Sequence, residues 1–165
     1  MFISNAPVQF VSLDIAYLPK DKNGYQCILL IGDVFSKFIQ AVPLKDQTAP
    51  TIVDAFLKRW LYAHGMPYNL LTDQGSNVYR EVMKEICNSL SIGKRRSSAY
   101  HSQGTGFAER NIRTVKDALR AVPLHRLMQQ RKWHSVLPEL VFALNANESK
   151  AIHCVPFDVV FGRHG

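Results

Sequence analysis

The stretch from Tyr25 to Ile31 constrains the fold most, because its last five residues are apolar in succession rather than at alternate positions. Such a composition is typical of a central strand that is covered on both faces. The β-branched and aromatic segment 8–17 precedes it, and the polar turn composition of residues 19–24 predicts a β-hairpin between the two. A third strand is predicted over residues 37–42, closed by Pro43. The chain thus begins with three antiparallel strands that need helices on both faces.

From Thr48 onward the apolar residues change to the i, i+3, i+4 spacing of an amphipathic helix, with Pro50 in its first turn. Residues 64–67 end this helix, and a short strand follows over 69–72. Further helices are predicted over about 77–90, from 105–107 to about 121, and over 133–147 with Pro138 in the first turn. The segment 91–96 and a glycine-bearing loop over 97–106 lie between the first two of these helices. This order predicts one α/β domain over residues 1–165, with a mixed sheet and helices on both faces.

The charge of the chain favours a polyanionic partner. Lys and Arg number 20 against 13 Asp and Glu, a formal net charge of +7, which indicates nucleic acid before a membrane surface. Apolar runs such as residues 27–31 are far shorter than the roughly 20 residues that a bilayer requires. The first residues lack the pattern of a secretory signal, so we expect an intracellular protein with no membrane partner. Three well-separated cysteines indicate reduced, mostly buried thiols rather than disulfides or a zinc knuckle.

Three carboxylates stand out by their positions. Asp14 lies inside the first strand between two apolar residues, where a carboxylate is costly unless a cation or a hydrogen-bond donor balances it. Asp73 follows the end of a strand, and Glu109 lies in the first or second turn of a helix. Each also has a structural explanation: a hydrogen-bonded strand residue for Asp14, a helix cap for Asp73, and a favourable charge near a helix N-terminus for Glu109. Taken singly, none of the three is decisive.

The helix that carries Glu109 has two distinct faces. At about 100° per residue, one face collects the apolar residues Ala108, Ile112, Val115, Leu119 and Val122. Glu109 shares the other face with Arg113, Lys116 and Arg120. On an ordinary helix this is a solvated face with an ion pair between Glu109 and Arg113. Beside two further carboxylates, Glu109 would instead be a metal ligand at the edge of a phosphate-binding strip.

Several motifs of the sequence occur together in one known family. They are Asp14 in the first strand, the segments 33–37, 64–67, 71–76, 99–101 and 106–111, Trp133, Asn145, and the segment 156–163. In addition, 35 residues separate Asp73 from Glu109. In these features the chain resembles the catalytic core of retroviral and gypsy-type retrotransposon integrases along nearly its whole length. The 35-residue spacing matches the Asp-Asp-Glu signature of that family.

The resemblance implies a fold, a metal site and a reaction. The fold is ribonuclease-H-like, a five-stranded mixed sheet flanked by helices on both faces. Asp14, Asp73 and Glu109 are the implied catalytic residues and ligands of two Mg²⁺ or Mn²⁺ ions, because these ions prefer hard oxygen donors. Two such metals can activate an attacking oxygen and stabilise a leaving one. The implied enzyme is a polynucleotidyl transferase that processes the 3′ end of element DNA and joins it to target DNA.

The same resemblance implies further contacts and partners. Tyr100, His101 and Gln103, in the loop before the glutamate, and Arg113 and Lys116, on the helix, match positions that approach element-end DNA in the family. The expected partners are double-stranded DNA of the element ends and of the target, and further copies of the chain in a homodimer or larger oligomer. No small-molecule cofactor is expected, and the site of action is the nucleus. Asp33 matches a recurrent family position, for which we expect a turn or capping role. Residues 94–96 add a basic cluster that is equally consistent with a solvated charge run.

Two departures from the family pattern leave the triad intact. Ser102 stands where many relatives have a proline, which should loosen the loop, and residues 15–19 replace a frequent Gly-Pro. His64 and His101 lack a second ligand at the spacing that zinc requires. The family's additional zinc and DNA-binding domains are not found in this sequence, so we expect it to be the core part of a longer protein. The alternative function is a domesticated, non-catalytic domain of a host protein that binds DNA or protein. A metal-dependent nuclease on the same fold is a third candidate, but the motifs after Glu109 fit integrases better.

Overall fold

The computed structural model describes residues 4–72, 81, 84–86, 105–121 and 132–162, and at positions 72 and 105–109 it describes the backbone. Its centre is a sheet of four strands among these residues: β1 (Phe10–Tyr17), β2 (Cys27–Asp33), β3 (Ile39–Leu44) and β4 (Asn69–Thr72). The strand order is β3-β2-β1-β4. β1 and β3 pair with β2 in antiparallel fashion, whereas β4 runs parallel to β1. The predicted mixed sheet is therefore confirmed, and β2 lies inside it with every residue buried.

The prediction of five strands differs from the four that the described part of the chain contains. The segment 91–96, which follows the predicted helix over 77–90, lies outside the described residues. Of that helix, residues 81 and 84–86 are described and are helical. A fifth strand therefore stays a prediction.

The third strand differs from its prediction at both ends. It begins at Ile39 and runs through Pro43 to Leu44, whereas the sequence predicted a strand that Pro43 closes. Pro43 pairs with Ile28 of β2, and β3 is the edge strand on this side. Proline is tolerated at an edge because its missing N–H leaves no ladder partner unsatisfied there. The expectation that proline ends a strand was wrong for that reason.

The first helical run is interrupted by a π-helical segment. α1 (Ala49–Phe56) begins with Pro50 in its first turn as predicted, continues through a π-helical segment (Leu57–Leu61), and ends in a last turn, α2 (Tyr62–His64). Gly65, with a φ of 80°, ends the run. A π-helical turn shifts later side chains around the axis relative to regular helix. Within this segment Trp60 is buried and Leu61 is half-buried.

Helices cover both faces of the sheet, as the apolar β2 predicted. On one face, α1 and the π-helical segment pack against a core that contains Leu29, Ile31 and Phe56. On the other face lie α3 (Thr105–Ala121) and α4 (Trp133–Ala146), whose Val115 and Leu137 belong to a second core. A short α5 (Pro156–Phe161) packs its aromatic residues at the rim of the first core. No helix within the described ranges has the length and hydropathy to cross a bilayer.

Pro138 corrects the prediction for the start of α4. The helix begins at Trp133, so Pro138 lies in its second turn rather than its first. The side chain of Pro138 is exposed. A proline here removes one backbone hydrogen bond, which the contacts of Trp133 and His134 to the β1–β2 loop offset by holding the first turn in place. The Trp133 indole donates to the Pro19 carbonyl at 2.9 Å, and the His134 ring hydrogen-bonds the buried carboxylate of Asp21.

Candidate active site

Asp14 is the one predicted triad residue whose side chain lies within the described part of the chain. It sits in the middle of β1, opposite Leu30 of β2, and is 8% exposed. Directly paired residues of neighbouring strands point to the same face of a sheet. Leu30 belongs to the second core, so Asp14 lies on the sheet face that α3 and α4 cover. Its Oδ1 accepts a hydrogen bond from the backbone N–H of Ile15 at 2.8 Å.

The parallel strand β4 ends beside Asp14. Its register pairs Leu71 with Ser12 and Thr72 with Leu13, so the last residue of β4 lies level with the residue before Asp14. Asp73 is the next residue of the chain, and it lies outside the described residues. The structure therefore shows where the strand that leads to Asp73 ends, at the level of Asp14.

The helix that contains Glu109 packs over the same sheet face. Val115 and Leu119 of α3 are buried against Ala16 and Ile28. Glu109 belongs to the second turn of α3, since the helix begins at Thr105, and the sequence predicted its first or second turn. The side chain of Glu109 lies outside the described part, so its predicted ligand role and its alternative ion pair with Arg113 both stay untested.

The polar face of α3 is basic along its length, as the helical spacing predicted. Arg110, Arg113 and Arg120 are exposed and Lys116 is half-buried. Arg120 forms an exposed ion pair with Asp117 at 3.0 Å, a contact that contributes little to stability. Arg113 and Lys116, the two predicted DNA contacts on this helix, thus lie on one accessible side of it.

The remaining predicted site residues fall outside the described residues. These are the loop positions Tyr100, His101 and Gln103, together with the basic segment 94–96. The described side chains contain no group of three metal-ligating residues, and of the predicted triad only Asp14 is among them. The structure therefore neither assembles nor separates the complete predicted site.

Asp33 has the turn role that its position predicted. It is fully buried at the end of β2. Its Oδ2 accepts hydrogen bonds from the N–H and the hydroxyl of Ser36 at 2.8 and 2.5 Å, and its Oδ1 accepts one from the N–H of Val8 at 2.9 Å. The carboxylate therefore closes the turn between β2 and β3 and ties the N-terminal segment to it. Asn145 acts similarly on the next strand, since its side chain exchanges hydrogen bonds with both backbone groups of Ile39.

Two features of this region were missed in the sequence. Lys37 adopts a left-handed backbone conformation, with a φ of 64°, and its amine donates to the Val34 carbonyl at 2.6 Å. His64 packs its ring 4.6 Å from that of Trp60 and 5.5 Å from that of Phe38. Burial lowers the pKa of His64, and the negative charge of Asp33 only partly opposes this shift. The apolar neighbours of His64 thus favour its neutral form. Neither feature has a signal in the local sequence.

Comparison with known proteins gives consistent matches. A family model described as "Integrase core domain" matches residues 4–102, a range that includes Asp14 and Asp73 and ends before Glu109. The chain is 28% identical over 150 residues to the "Retrovirus-related Pol polyprotein from transposon 412" of Drosophila melanogaster, covering 90% of this chain and 12% of that protein. It is 24% identical over 157 residues to the Gag-Pol polyprotein of Avian reticuloendotheliosis virus, covering 95% of this chain and 13% of that protein. The chain thus spans about an eighth of the length of these relatives.

Solved structures share the fold. The HTLV-2 integrase catalytic core domain in complex with magnesium, in its trimeric form, superposes with a TM-score of 0.71 at 20% identity, covering 96% of this chain and 99% of that one. An integrase chain of the simian T-cell lymphotropic virus intasome, in complex with a PP2A regulatory subunit, gives 0.74 at 19% identity, covering 96% and 56%. The ribonuclease-H-like fold of retroviral integrase cores is therefore confirmed. More than half of the sequence matches the family model, and the chain belongs to the integrase core domain family.

Proposed function

We propose that this chain is the catalytic core of a metal-dependent DNA integrase, a polynucleotidyl transferase that processes the 3′ ends of element DNA and transfers them into target DNA. We place the reaction in the nucleus and assign it to residues 1–165 as one domain. The observation that carries the proposal is the position of Asp14: a buried carboxylate in mid-strand, on the covered face of the sheet, level with the end of β4.

The register of β4 supports a pairing of Asp14 with Asp73. One further step in the observed parallel register brings position 73 beside position 14. Neighbouring strands lie about 4.8 Å apart, so a residue 73 that continues this register would bring its carboxylate within reach of an ion bound at Asp14. Side chains alternate between the two faces of a strand, so position 73 would share the face of Leu71, which pairs with Ser12. Asp14, two residues after Ser12, is on that face as well.

The packing of α3 supports the third member of the triad. Glu109 precedes the buried Val115 by six residues, which is about 9 Å along a helix axis. Val115 lies in the same core as Ala16, which is two residues, or about 7 Å, from Asp14 along β1, so α3 packs on the sheet face that contains Asp14. We assign Asp14, Asp73 and Glu109 as the catalytic residues on this basis.

The donor set fits the divalent metal that the reaction requires. Three carboxylates are hard oxygen donors of the kind that Mg²⁺ or Mn²⁺ prefers, and a cation stabilises a carboxylate as buried as Asp14. Two bound metal ions would supply the activation of the attacking oxygen and the stabilisation of the leaving one. The described β1, the end of β4 and α3 pack together, so we propose that the protein positions the three carboxylates before DNA binds.

The basic side of α3 supports DNA as the substrate. The accessible cations Arg113 and Lys116 lie on the helix that carries Glu109, where they can hold backbone phosphates and orient the DNA end toward the carboxylates. We assign Tyr100, His101 and Gln103, in the loop before α3, to the element-end DNA as well. The net charge of +7 acts in the same direction at longer range.

An apolar surface beside the edge strand β3 supports self-association. Phe142 and Phe161 are 64% and 43% exposed, and both line a groove of about 340 Å³ together with Phe157. Exposed aromatic residues around one groove mark protein–protein contact surfaces. Trp133 is half-buried against the second core and hydrogen-bonded to Pro19. We therefore propose that the chain forms dimers through the Phe142 surface rather than through Trp133.

The test of the catalytic proposal is the reversal of strand transfer on a branched DNA substrate. We expect the wild-type chain to resolve the branch in Mg²⁺ or Mn²⁺, and both Asp14→Asn and Asp73→Asn to lose that activity. Asp54→Asn is the matched control, because Asp54 is an exposed carboxylate on α1, paired with Lys58. A folded wild-type chain without activity that also fails to bind Mn²⁺ would refute the enzyme and leave a non-catalytic binding domain.

A further inference from the structure

Lys37 has a backbone conformation that is unfavourable for any residue other than glycine. It follows the turn that Asp33 closes, and its N–H donates to the Asp33 carbonyl at 3.0 Å. The resulting φ of 64° is in the left-handed region, where glycine is the favoured residue and a side chain is strained. A residue retained in such a conformation at a well-defined turn raises the question of what its side chain does.

Lys37 and α3 line the same groove. Lys37 is half-buried and lines an open groove of about 600 Å³ together with Asn111 and Thr114 of that helix. Burial lowers the pKa of Lys37, the like charge of Arg110 lowers it further, and Asp33 opposes both effects. Arg110 lies one helical turn before Thr114 and therefore on the side of α3 that lines this groove, near the end of the helix that contains Glu109.

Arg110 connects the groove of Lys37 to the basic side of α3. At 100° per residue, Arg113 lies about 40° from Glu109 and about 60° from Arg110 around the helix axis. The cations thus continue from the predicted DNA-contact side to the groove of Lys37 without a break. The groove also contains Glu139 and Glu148 on its α4 side, so it suits one phosphate at the Lys37 end and not a strand laid along it.

We infer that Lys37 and Arg110 together bind one backbone phosphate of the DNA, next to the carboxylate site. The inference rests on the proposed function, because it takes DNA as the substrate. Two neighbouring cations repel each other, and an anion held between them relieves that repulsion and gains charge-assisted hydrogen bonds from both. Asp33 and Ser36 act as positioning residues, since their hydrogen bonds form the turn that delivers the Lys37 amine to this place.

The experiment is the salt dependence of DNA binding, followed by fluorescence anisotropy with a labelled 20-base-pair duplex in EDTA. We expect Lys37→Gln to weaken binding and to reduce the slope of log K against log salt by up to about 0.9, the contribution of one phosphate contact, because Arg110 alone holds the shared phosphate less well. Lys37→Arg should keep the wild-type slope. Lys58→Gln, which removes an exposed lysine on α1 that pairs with Asp54, should also keep it.

Lys37→Gly and Lys37→Ala provide the second measurement. Both remove the charge and the hydrogen bond to Val34, so only the left-handed conformation separates them, and we expect the glycine variant to melt at the higher temperature. Both should show the reduced salt slope of Lys37→Gln. Wild-type salt slopes in both variants would overturn the inference.

The outcomes separate this inference from the proposed function. If the wild-type chain binds DNA and Lys37→Gln has the same salt slope, the phosphate site is refuted while the catalytic proposal stands. If the wild-type chain shows no salt-dependent binding, the DNA substrate itself is refuted and the phosphate site with it. The branched-DNA assay with Asp14→Asn reports on the carboxylates independently of both results.

Discussion

The turn held by Asp33 gives the sharpest test of what stabilises this fold. The change is Asp33→Asn, which keeps the shape of the side chain but replaces one acceptor oxygen with an NH₂ group. Asp33 is fully buried and accepts from the Val8 N–H on one oxygen and from two Ser36 donors on the other. An asparagine can serve only one of these two sides with an acceptor.

The magnitude follows from the hydrogen bonds. With its carbonyl toward Ser36, the asparagine turns its NH₂ toward the Val8 N–H, and a buried donor left without an acceptor costs about 1–3 kcal/mol. The two Ser36 bonds also lose the extra strength of a charged acceptor, about 0.5–1 kcal/mol each. The total is about 2–5 kcal/mol, or about 4–20 °C in the melting temperature for a chain of this size.

Thermal and urea unfolding followed by circular dichroism measure this loss, with Asp54→Asn as the exposed control. A cycle with Ser36→Ala isolates the interaction between the two residues, which we expect to be strongly non-additive because they share hydrogen bonds. Surface substitutions typically change the free energy of unfolding by no more than about 0.5 kcal/mol. If Asp33→Asn changes it by no more than that, the Asp33 carboxylate does not hold the turn.

Three further predictions concern association and pH. Phe142→Lys should shift the chain from dimer to monomer in light scattering after size exclusion, whereas Tyr62→Lys, at another exposed aromatic residue, should not; unchanged mass in both would refute the proposed interface. Burial raises the pKa of Asp21, but the hydrogen bonds from His134 and from two backbone N–H groups outweigh it and hold the pKa below its ordinary 3.8. A lowered pKa stabilises the fold above the unfolded value, so Asp21→Asn should cost about 2 kcal/mol at pH 7 and progressively less as the pH falls below 3.8, in urea titrations at a series of pH values. His64 also has a lowered pKa, so its contribution to the free energy of unfolding is complete above its ordinary pKa of 6.5 and is lost as the pH falls through the pKa of the folded state. His64→Phe should flatten the dependence of stability on pH in this range. An unchanged dependence would contradict the lowered pKa of His64.

The parts of the fold that follow from local pattern could be predicted from the sequence. The apolar residues of β2 predicted a strand covered on both faces, and the structure buries every residue of it between two helical layers. Pro50 and Gly65 marked the start and the end of the first helical run correctly, because proline fits a first turn and glycine tolerates the positive φ at which the run ends. These features depend on residues close together in the chain.

Features that depend on distant contacts were not predictable in the same way. Pro43 continues β3 because that strand has a free edge, which only the strand order decides. Pro138 lies inside α4 because the first turn, with Trp133 and His134, is held by the β1–β2 loop more than a hundred residues earlier. The sequence shows the proline in each case but not the partner that makes it tolerable.

The candidate site also contains both kinds of feature, those visible in the sequence and those that depend on distant contacts. The family motifs and the spacing of Asp14, Asp73 and Glu109 are visible in the sequence, and the burial of Asp14 agrees with the role they imply. Lys37 is different, because its conformation depends on a turn that Asp33 closes with help from Val8, 25 residues earlier. Local propensity predicts no left-handed lysine, so a cation placed this way is found only once the turn is seen in three dimensions. If it binds phosphate, the stability lost to its strained backbone is the cost of a contact beside the catalytic carboxylates, and replacing it with glycine should exchange DNA affinity for stability.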